Sequence, residues 1–476
     1  MVLFLETRLP FFKVQRINMR INWQEPKPVA TIVILAVIII AIFLGKIITG
    51  YSYKVAIALA ASALIFLLTF INTDAGLAVL IFSMLLSPEI MIGQLPGRDI
   101  IIRFDDLLLM VITLAWLAKA AINKGLALFI KTPLNKAIGV YMLICIIATL
   151  RGAALGFVIP EKGLFYILRY AEYFLLYILV ANHIHSKKQI KFFLTALFIT
   201  CAIVSVYGIL QIPQGVRVSA PFEGETGEPN TFGGYLLFIS CLAIGLFLQN
   251  IGQGKRLALI GLAALISVPF LFTLSRASYL GVVFSFLVFI ILSKRRLLLF
   301  VSMLAIVVLI ALLKPEAVFS RLEYTFQERQ PDLARIFNIY LDPSASARIF
   351  SWQDSYNAWK ERPILGRGIS GHGFIDGQYV RTLPEIGALG LVALLWLLWS
   401  IFKHSLRVYE KMDDQLCQGL TLGFIAGFIG LTVHAFTANT FIILRIMEPF
   451  WFITAIIMML PELKEEESLQ QESNLL

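Results

Sequence analysis

Apolar positions in this chain run in continuous blocks of about 17–22 residues, separated by short polar segments. Residues 32–44 (IVILAVIIIAIFL) show neither the alternation of a half-buried strand nor the polar stripe of a surface helix. At 1.5 Å rise per residue, about 20 apolar residues cross a hydrocarbon core of about 30 Å. Closed β-barrels also satisfy every backbone group in lipid, but they need short alternating segments. The pattern therefore predicts an all-α, polytopic transmembrane helical bundle. Spans are expected near 29–45, 55–71, 76–92, 105–121, 137–150, 164–182, 192–210, 232–249, 257–273, 277–292, 297–313, 386–402, 417–434 and 441–460. The organisation that follows is transmembrane helices 1–11 with short loops over 1–313, one large loop over 314–385, and helices 12–14 with an acidic tail over 386–476.

Lys and Arg near the span ends give the orientation. Arg8/Lys13/Arg16/Arg20, Lys119/Lys124/Lys131/Lys136, Lys187/Lys188/Lys191, Lys255/Arg256 and Lys294/Arg295/Arg296 all fall in one set of alternate loops. That set is expected to be cytoplasmic, with both termini, in a bacterial inner membrane. The opposite, periplasmic face then holds 93–104, 151–163, 211–231, the turn 274–276 and the long loop 314–385, whose nine basic and nine acidic residues show no positive-inside bias.

Composition agrees with this picture. Hydrophobic residues make up 59% of the 476, and charged residues only 15%, against about a quarter in soluble domains. The net charge of +10 resides in clusters between spans, so a nucleic-acid partner is not expected. Cys145, Cys201, Cys241 and Cys417 lie in or beside apolar blocks, which supports neither a disulfide framework nor a zinc cluster. The first block, starting near Val29, lacks a small-residue cleavage site and reads as a signal anchor.

Within the long loop, Ile349, Trp352, Tyr356 and Trp359 recur at helical spacing and predict an amphipathic helix over 346–360, able to lie on the membrane surface or cap the bundle. Pro363 stops it, and the Gly-rich 366–373 (GRGISGHG) reads as a flexible connection.

Charged residues at membrane depth are costly and need a reason. Arg169/Glu172 and Arg445/Glu448 are each three apart on a helix face, and both read first as buried ion pairs that fix packing. Four outer-face arginines carry more information: Arg217 in a Gly/Pro-rich loop, Arg276 in a tight turn, Arg348 at the start of the amphipathic helix, and Arg381 before the next span. Singly, each marks an interface by snorkelling. Together they suit an anionic headgroup or a polyprenyl diphosphate, because guanidinium forks bind phosphate bidentately. His372 and Asp376 share a face if their segment is helical, and either can serve as general base toward a sugar hydroxyl. No HExxH, CxxC or P-loop pattern is present, so neither a metal nor a nucleotide cofactor is expected.

In chain order, these residues read Arg217, Glu228-Pro229-Asn230, Gly233-Gly234-Tyr235, Ser275-Arg276, Arg348-x-x-x-Trp352, Pro363-x-x-Gly366-x-Gly368 and Gln378-Tyr379-x-x-x-Leu383-x-Glu385-x-Gly387-x-x-Gly390. The ordered set resembles the O-antigen ligase and polymerase superfamily of bacterial envelope glycan enzymes. The resemblance implies about a dozen spans with one large periplasmic loop, so 12–14 spans bracket the expectation. It also implies an undecaprenyl-diphosphate-linked glycan donor and a glycan or lipid-linked acceptor, with no nucleotide sugar and no metal. Periplasmic arginines would hold the diphosphate, here Arg217, Arg276, Arg348 and Arg381, with Tyr379 and Glu385 completing the substrate site. A His-Asn-x-Tyr pattern supplies the base in ligases; here Asp376 and Gly377 stand at the His and Asn positions, counting back from Tyr379. A carboxylate can perform the same proton transfer, and His372 is the alternative. The departure favours a polymerase or exopolysaccharide enzyme over a lipopolysaccharide ligase. A multi-pass transporter or flippase is the competing function, though no inverted repeat or matched pair of broken helices supports it.

Overall fold

The computed structural model describes residues 53–95, 98–122, 130–223, 227–249, 252–297, 299–301, 335–336, 339–340, 343–373 and 375–475. The expected span at 29–45, most of that at 297–313, and residues 314–334 of the expected loop lie outside them. By its internal contacts the chain divides into two units. The first comprises Met1–Thr73 and Val111–Leu128; the second comprises Asp74–Met110 and Phe129–Leu476.

Helices dominate both units. In chain order they are α1 (Tyr53–Ile71), α2 (Thr73–Leu86), α3 (Phe104–Ile122), α4 (Asn135–Ala154), α5 (Pro160–His183), α6 (Lys187–Gln211), α7 (Pro229–Phe247), α8 (Gln253–Phe272), α9 (Arg276–Leu292), α10 (Pro343–Glu361), α11 (Gln378–Lys411), α12 (Gln415–His434) and α13 (Leu444–Leu475). Among the described residues, eight helices are long and apolar enough to cross a membrane, and α9 is a shorter apolar helix of the same character. The chain is therefore a multi-pass membrane protein, and every expected span within the described residues has a helix over it. One expectation needs correction. The span at 76–92 ends as helix at Leu86, and Glu89–Leu95 pairs with Arg98–Arg103 as an antiparallel hairpin, β1–β2. A second short hairpin joins Arg335–Ile336 (β3) to Ile339–Tyr340 (β4).

In the first unit, the Lys119 ammonium donates to Thr73 Oγ1 at 3.3 Å. The second unit is organised around α13, α7 and α12, whose most apolar stretches are 89%, 78% and 72% buried, against 17% for α8. Close approach of α7 and α12 depends on small residues. Gly419, Gly423 and Gly427 recur every fourth residue along one face of α12. A Cβ at Gly423 would meet the Cys241 carbonyl oxygen of α7 at 2.5 Å. Small residues spaced this way let transmembrane backbones touch, where lipid offers no hydrophobic drive for association.

Helix α11 is broken at Gly387, whose φ of 70° and ψ of −172° are closed to side chains. In an unbroken helix the N–H groups of Ala388 and Leu389 would bond to the carbonyls of Pro384 and Glu385. Instead they donate to Pro363 and Ile364 at 2.8 and 3.2 Å, while the freed carbonyls of Pro384 and Glu385 accept from Arg367 and Gly368 at 2.8 and 2.7 Å. The segment 363–368 is thus inserted into the break and satisfies all four backbone groups, as a low-dielectric setting demands. The Gly-rich stretch that follows Pro363 is accordingly no flexible connection: it is tied at Gly366 by Arg151, at Ile369 by Thr149 and at Ser370 by Glu385.

Candidate functional site

The candidate residues all belong to the second unit and gather at one end of its bundle, where α4, α6, α8 and α12 finish and α5, α7, α9, α11 and α13 begin. Two groups form there. Arg217, in the loop after α6, donates from Nε to the Thr273 carbonyl at 3.0 Å and from Nη2 to the Leu274 carbonyl at 3.3 Å. It therefore lies on the α8–α9 turn that carries Arg276. Ser275 caps α9 by accepting from the Ser278 N–H, and its hydroxyl donates to Asn230 Oδ1 at 2.8 Å, at the start of α7. Three motifs far apart in sequence thereby meet.

The second group surrounds Asp376. Arg348 Nε lies 3.6 Å from Asp376 Oδ2, and both side chains retain solvent access, at 21% and 39%. The backbone of this short segment is fixed at Ile375, Asp376 and Gln378. Asn439 donates to the Ile375 carbonyl at 2.8 Å, Trp352 Nε1 donates to the Asp376 carbonyl at 2.7 Å, and the Gln378 N–H donates to the Ala435 carbonyl at 2.9 Å. The end of α12 links the two groups. Ala435 holds α11, while His434, buried beside Gly234 of α7, bonds through Nδ1 to Thr440 at 2.7 Å.

His372 is set apart from Asp376. Residues 371–373 and 375–377 are not helical, so the two do not share a helix face. His372 Nε2 instead lies 3.2 Å from Asp354 Oδ2 on α10. Helix α10 forms as expected, but the face it buries holds Ser346, Ser355 and Ala358, and Phe350 and Tyr356 are about half exposed.

Arg381, Glu385 and Tyr379 have internal partners. Arg381 donates from Nε to Glu385 Oε1 at 3.0 Å, both side chains are under 10% exposed, and the guanidinium lies 5.3 Å from the Tyr166 ring. Glu385 also accepts from the Ser370 N–H at 3.1 Å. The Tyr379 hydroxyl donates to the Thr432 carbonyl at 2.8 Å, with its ring 4.8 Å from that of Phe436.

A buried charged network at this end escaped the sequence reading. Arg445 does not pair with Glu448. Its guanidinium donates to the carbonyls of Leu85, Ser87, Pro221 and Phe222, and its Nε lies 3.8 Å from Glu223. Glu448 faces Arg103 at 3.3 Å, and Arg103 also contacts Asp105. At the first turn of α13 the chain ends of α2 and the 217–228 loop present free carbonyls to Arg445, whereas Glu448, a turn deeper, meets the start of α3. Arg169 stacks on Phe165 at 4.7 Å, within electrostatic reach of Asp106 and Glu172. Asp105, Asp106 and Glu448 each bring one carboxylate oxygen within 4.8 Å of the others. Arg103 supplies a positive charge there from within the protein. Glu223, outside the spans, accepts from the N–H groups of Ala220 and Glu228 and so folds the loop that carries Arg217. Burial pushes its carboxyl up to about 8, against the opposing pull of Arg445 and those two N–H groups. The signal available in the sequence was a charge inside or beside an apolar block, at Arg103, Asp105 and Glu223.

No curated protein matches the chain. Residues 260–395, well under half of it, match the family model described as O-Antigen ligase. The matched stretch contains Ser275-Arg276, Arg348, the inserted 363–368 segment, Asp376 and the break at Gly387; Arg217 and 228–235 lie before it. Over residues 260–395 the resemblance carried by the ordered motifs therefore holds, and there this multi-pass membrane protein is similar to the O-antigen ligase family.

Proposed function

We propose that the protein is a glycosyltransferase that acts at the periplasmic face on an undecaprenyl-diphosphate-linked glycan, as a polysaccharide polymerase or ligase-like enzyme. The acceptor hydroxyl attacks the anomeric carbon of the donor. A glycosidic bond forms, the bond from that carbon to the diphosphate oxygen breaks, and the hydroxyl proton passes to a base. Asp376 is that base, with Arg348 beside it; Arg217 and Arg276 hold the departing diphosphate. Arg381, Glu385 and Tyr379, rather than touching substrate, position the first turns of α11 and the inserted segment. No metal enters the scheme, since charge on the diphosphate is met by guanidinium groups.

The observation that carries this reading is the setting of Asp376. Its own carbonyl, that of Ile375 before it and the N–H of Gln378 two residues on are each hydrogen-bonded to a different part of the fold, while its carboxylate stays accessible beside Arg348. A general base must be held to within a hydrogen-bond length of its proton, and this segment is fixed to that standard. A second reading, with His372 as base, rests on its pairing with Asp354, since a carboxylate can orient an imidazole for proton transfer. The Gly-rich stretch leading to His372 is held in place by the inserted 363–368 segment, so flexibility does not count against this reading.

Two measurements test the proposal. Reporter fusions at Gly254 and Lys294 should report cytoplasm, and fusions at Gly224 and Pro343 should report periplasm. A deletion strain should accumulate undecaprenyl-diphosphate glycan already facing outward. Accumulation facing the cytoplasm would instead mark a flippase.

A further inference from the structure

A second group of arginines gathers around the inserted segment. We propose that Arg362 and Arg367, beside Phe157, and Arg151, bonded to Gly366, form an anion site for the phosphate head of a membrane lipid, built from residues other than those around Asp376 and Arg217.

Arg151 ends α4 and donates from Nη1 to the Gly366 carbonyl at 3.2 Å. Arg362 and Arg367 lie 5.5 and 5.6 Å from the centre of the Phe157 ring, so two cations flank one aromatic side chain. The frame beneath them is rigid, because a Cβ on Gly152 would lie 2.1 Å from the Arg367 carbonyl oxygen. Stretches 151–162 and 360–367 together hold five basic residues and two acidic ones. Of the two, Glu361 meets Arg367 at 2.6 Å but is 64% exposed, and exposed pairs of this kind are weak enough for a stronger anion to displace.

Donors are left over at this site. Arg367 Nε is buried without an acceptor. The Arg362 guanidinium has no hydrogen-bond acceptor among the described residues. A snorkelling arginine turns its N–H groups to water; a buried donor beside two further guanidiniums is instead an invitation to an anion. Planar forks suit phosphate oxygens, and several converging on one phosphate form charge-assisted bonds stronger than neutral ones. The surroundings select a lipid over a free ion. Leu155, Phe157, Ile159 and Ile364 are 48%, 37%, 43% and 63% exposed beside the arginines, and such an apolar apron under a basic group suits an acyl or prenyl chain below its headgroup.

The test uses the full-length protein in phosphatidylcholine nanodiscs, with bound lipid counted by native mass spectrometry. Phosphatidylglycerol and undecaprenyl diphosphate are titrated in separate arms. Arg362→Gln/Arg367→Gln should bind at least one of these lipids about ten-fold more weakly than the parent, with one fewer molecule retained. A shift confined to phosphatidylglycerol identifies the source as the bilayer, and a shift confined to undecaprenyl diphosphate identifies it as a second substrate molecule. Arg362→Gln alone, which removes no internal hydrogen bond among the described residues, should show a smaller shift in the same arm, and it carries the test if the double variant does not fold. Arg217→Lys/Arg276→Lys should keep this lipid whatever it does to glycan transfer, which separates the two sites. Parental affinity and count in both arms for the glutamine variants would overturn the proposal.

Discussion

Among the described residues, fully buried ion pairs occur at one end of the helical bundle and not at the other. At the candidate end, Arg103–Glu448, Arg381–Glu385 and Arg445–Glu223 are ion pairs with every side chain under 10% exposed. At the other end, Lys187–Asp414 is 29% and 39% exposed, and Lys464–Asp413 is 50% and 89% exposed. Water screens the second set, so it contributes little beyond marking where the membrane stops. The first set is desolvated, and each member depends on its partner. A bundle needs no buried charge to span a bilayer. That one end carries several, each fixing a loop or helix start, indicates that geometry at that end is what the sequence maintains.

The sharpest way to break the comparison is at the base. Asp376→Asn keeps the shape and removes the basic oxygen, so glycan transfer should fall by about 10²–10⁴-fold with unchanged membrane abundance. His372→Gln should then cause a modest defect at most. The reverse pattern would move the base to the His372–Asp354 pair.

Next in size are the arginines that face the departing diphosphate. Arg217→Lys and Arg276→Lys should each lower transfer about ten- to a hundred-fold in a membrane-vesicle assay, because a point charge replaces a planar fork. Full activity in both variants would leave them as interface markers.

Arg445→Met should destabilise the fold by about 3–5 kcal/mol, since it leaves four carbonyls without their donor and Glu223 without the cation facing it. Thermal melting in detergent reads this directly. Glu223 refines the same experiment. Its folded carboxyl, near 8, lies above its usual value of 4.5, so the folded state binds the extra proton between these pH values. Stability from this group is therefore full below about 4.5, falls as pH rises, and is lost above about 8. Glu223→Gln should flatten the melting temperature across that window, and a slope identical to the parent's would place the buried titration elsewhere.

The smallest effect belongs to the exposed end. Lys464→Ala should change stability by about 0.5 kcal/mol or less, despite a 2.6 Å contact with Asp413. A loss as large as that of Arg445→Met would erase the contrast between the ends.

Hydropathy alone located the helices because the bilayer imposes one local rule: about 20 apolar residues in a row, with all backbone bonds internal. The same rule misjudged residues 89–95. Their run Ile90-Met91-Ile92 is apolar, yet its backbone pairs with 98–103 rather than continuing α2. The candidate residues were named from order and spacing, and the pairing of Arg348 with Asp376 was not among the expectations. Nor was the role of Glu385 and Gly387, motif positions that prove to frame a broken helix and the segment inserted into it.

What the sequence determined by itself was the class of molecule, the placement of its spans and the family motifs, because each is written in residues close together along the chain. Tertiary structure alone decided which charge meets which. Arg103 and Glu448 lie 345 positions apart and Arg445 reaches 224 positions back to Pro221, so their partnership depends on how the ends of α2, α3, α6 and α13 converge. Such pairings are selected by desolvation. Once the helices close, a buried guanidinium takes the nearest carbonyls and carboxylate that water has left, and no spacing along the chain encodes which those will be.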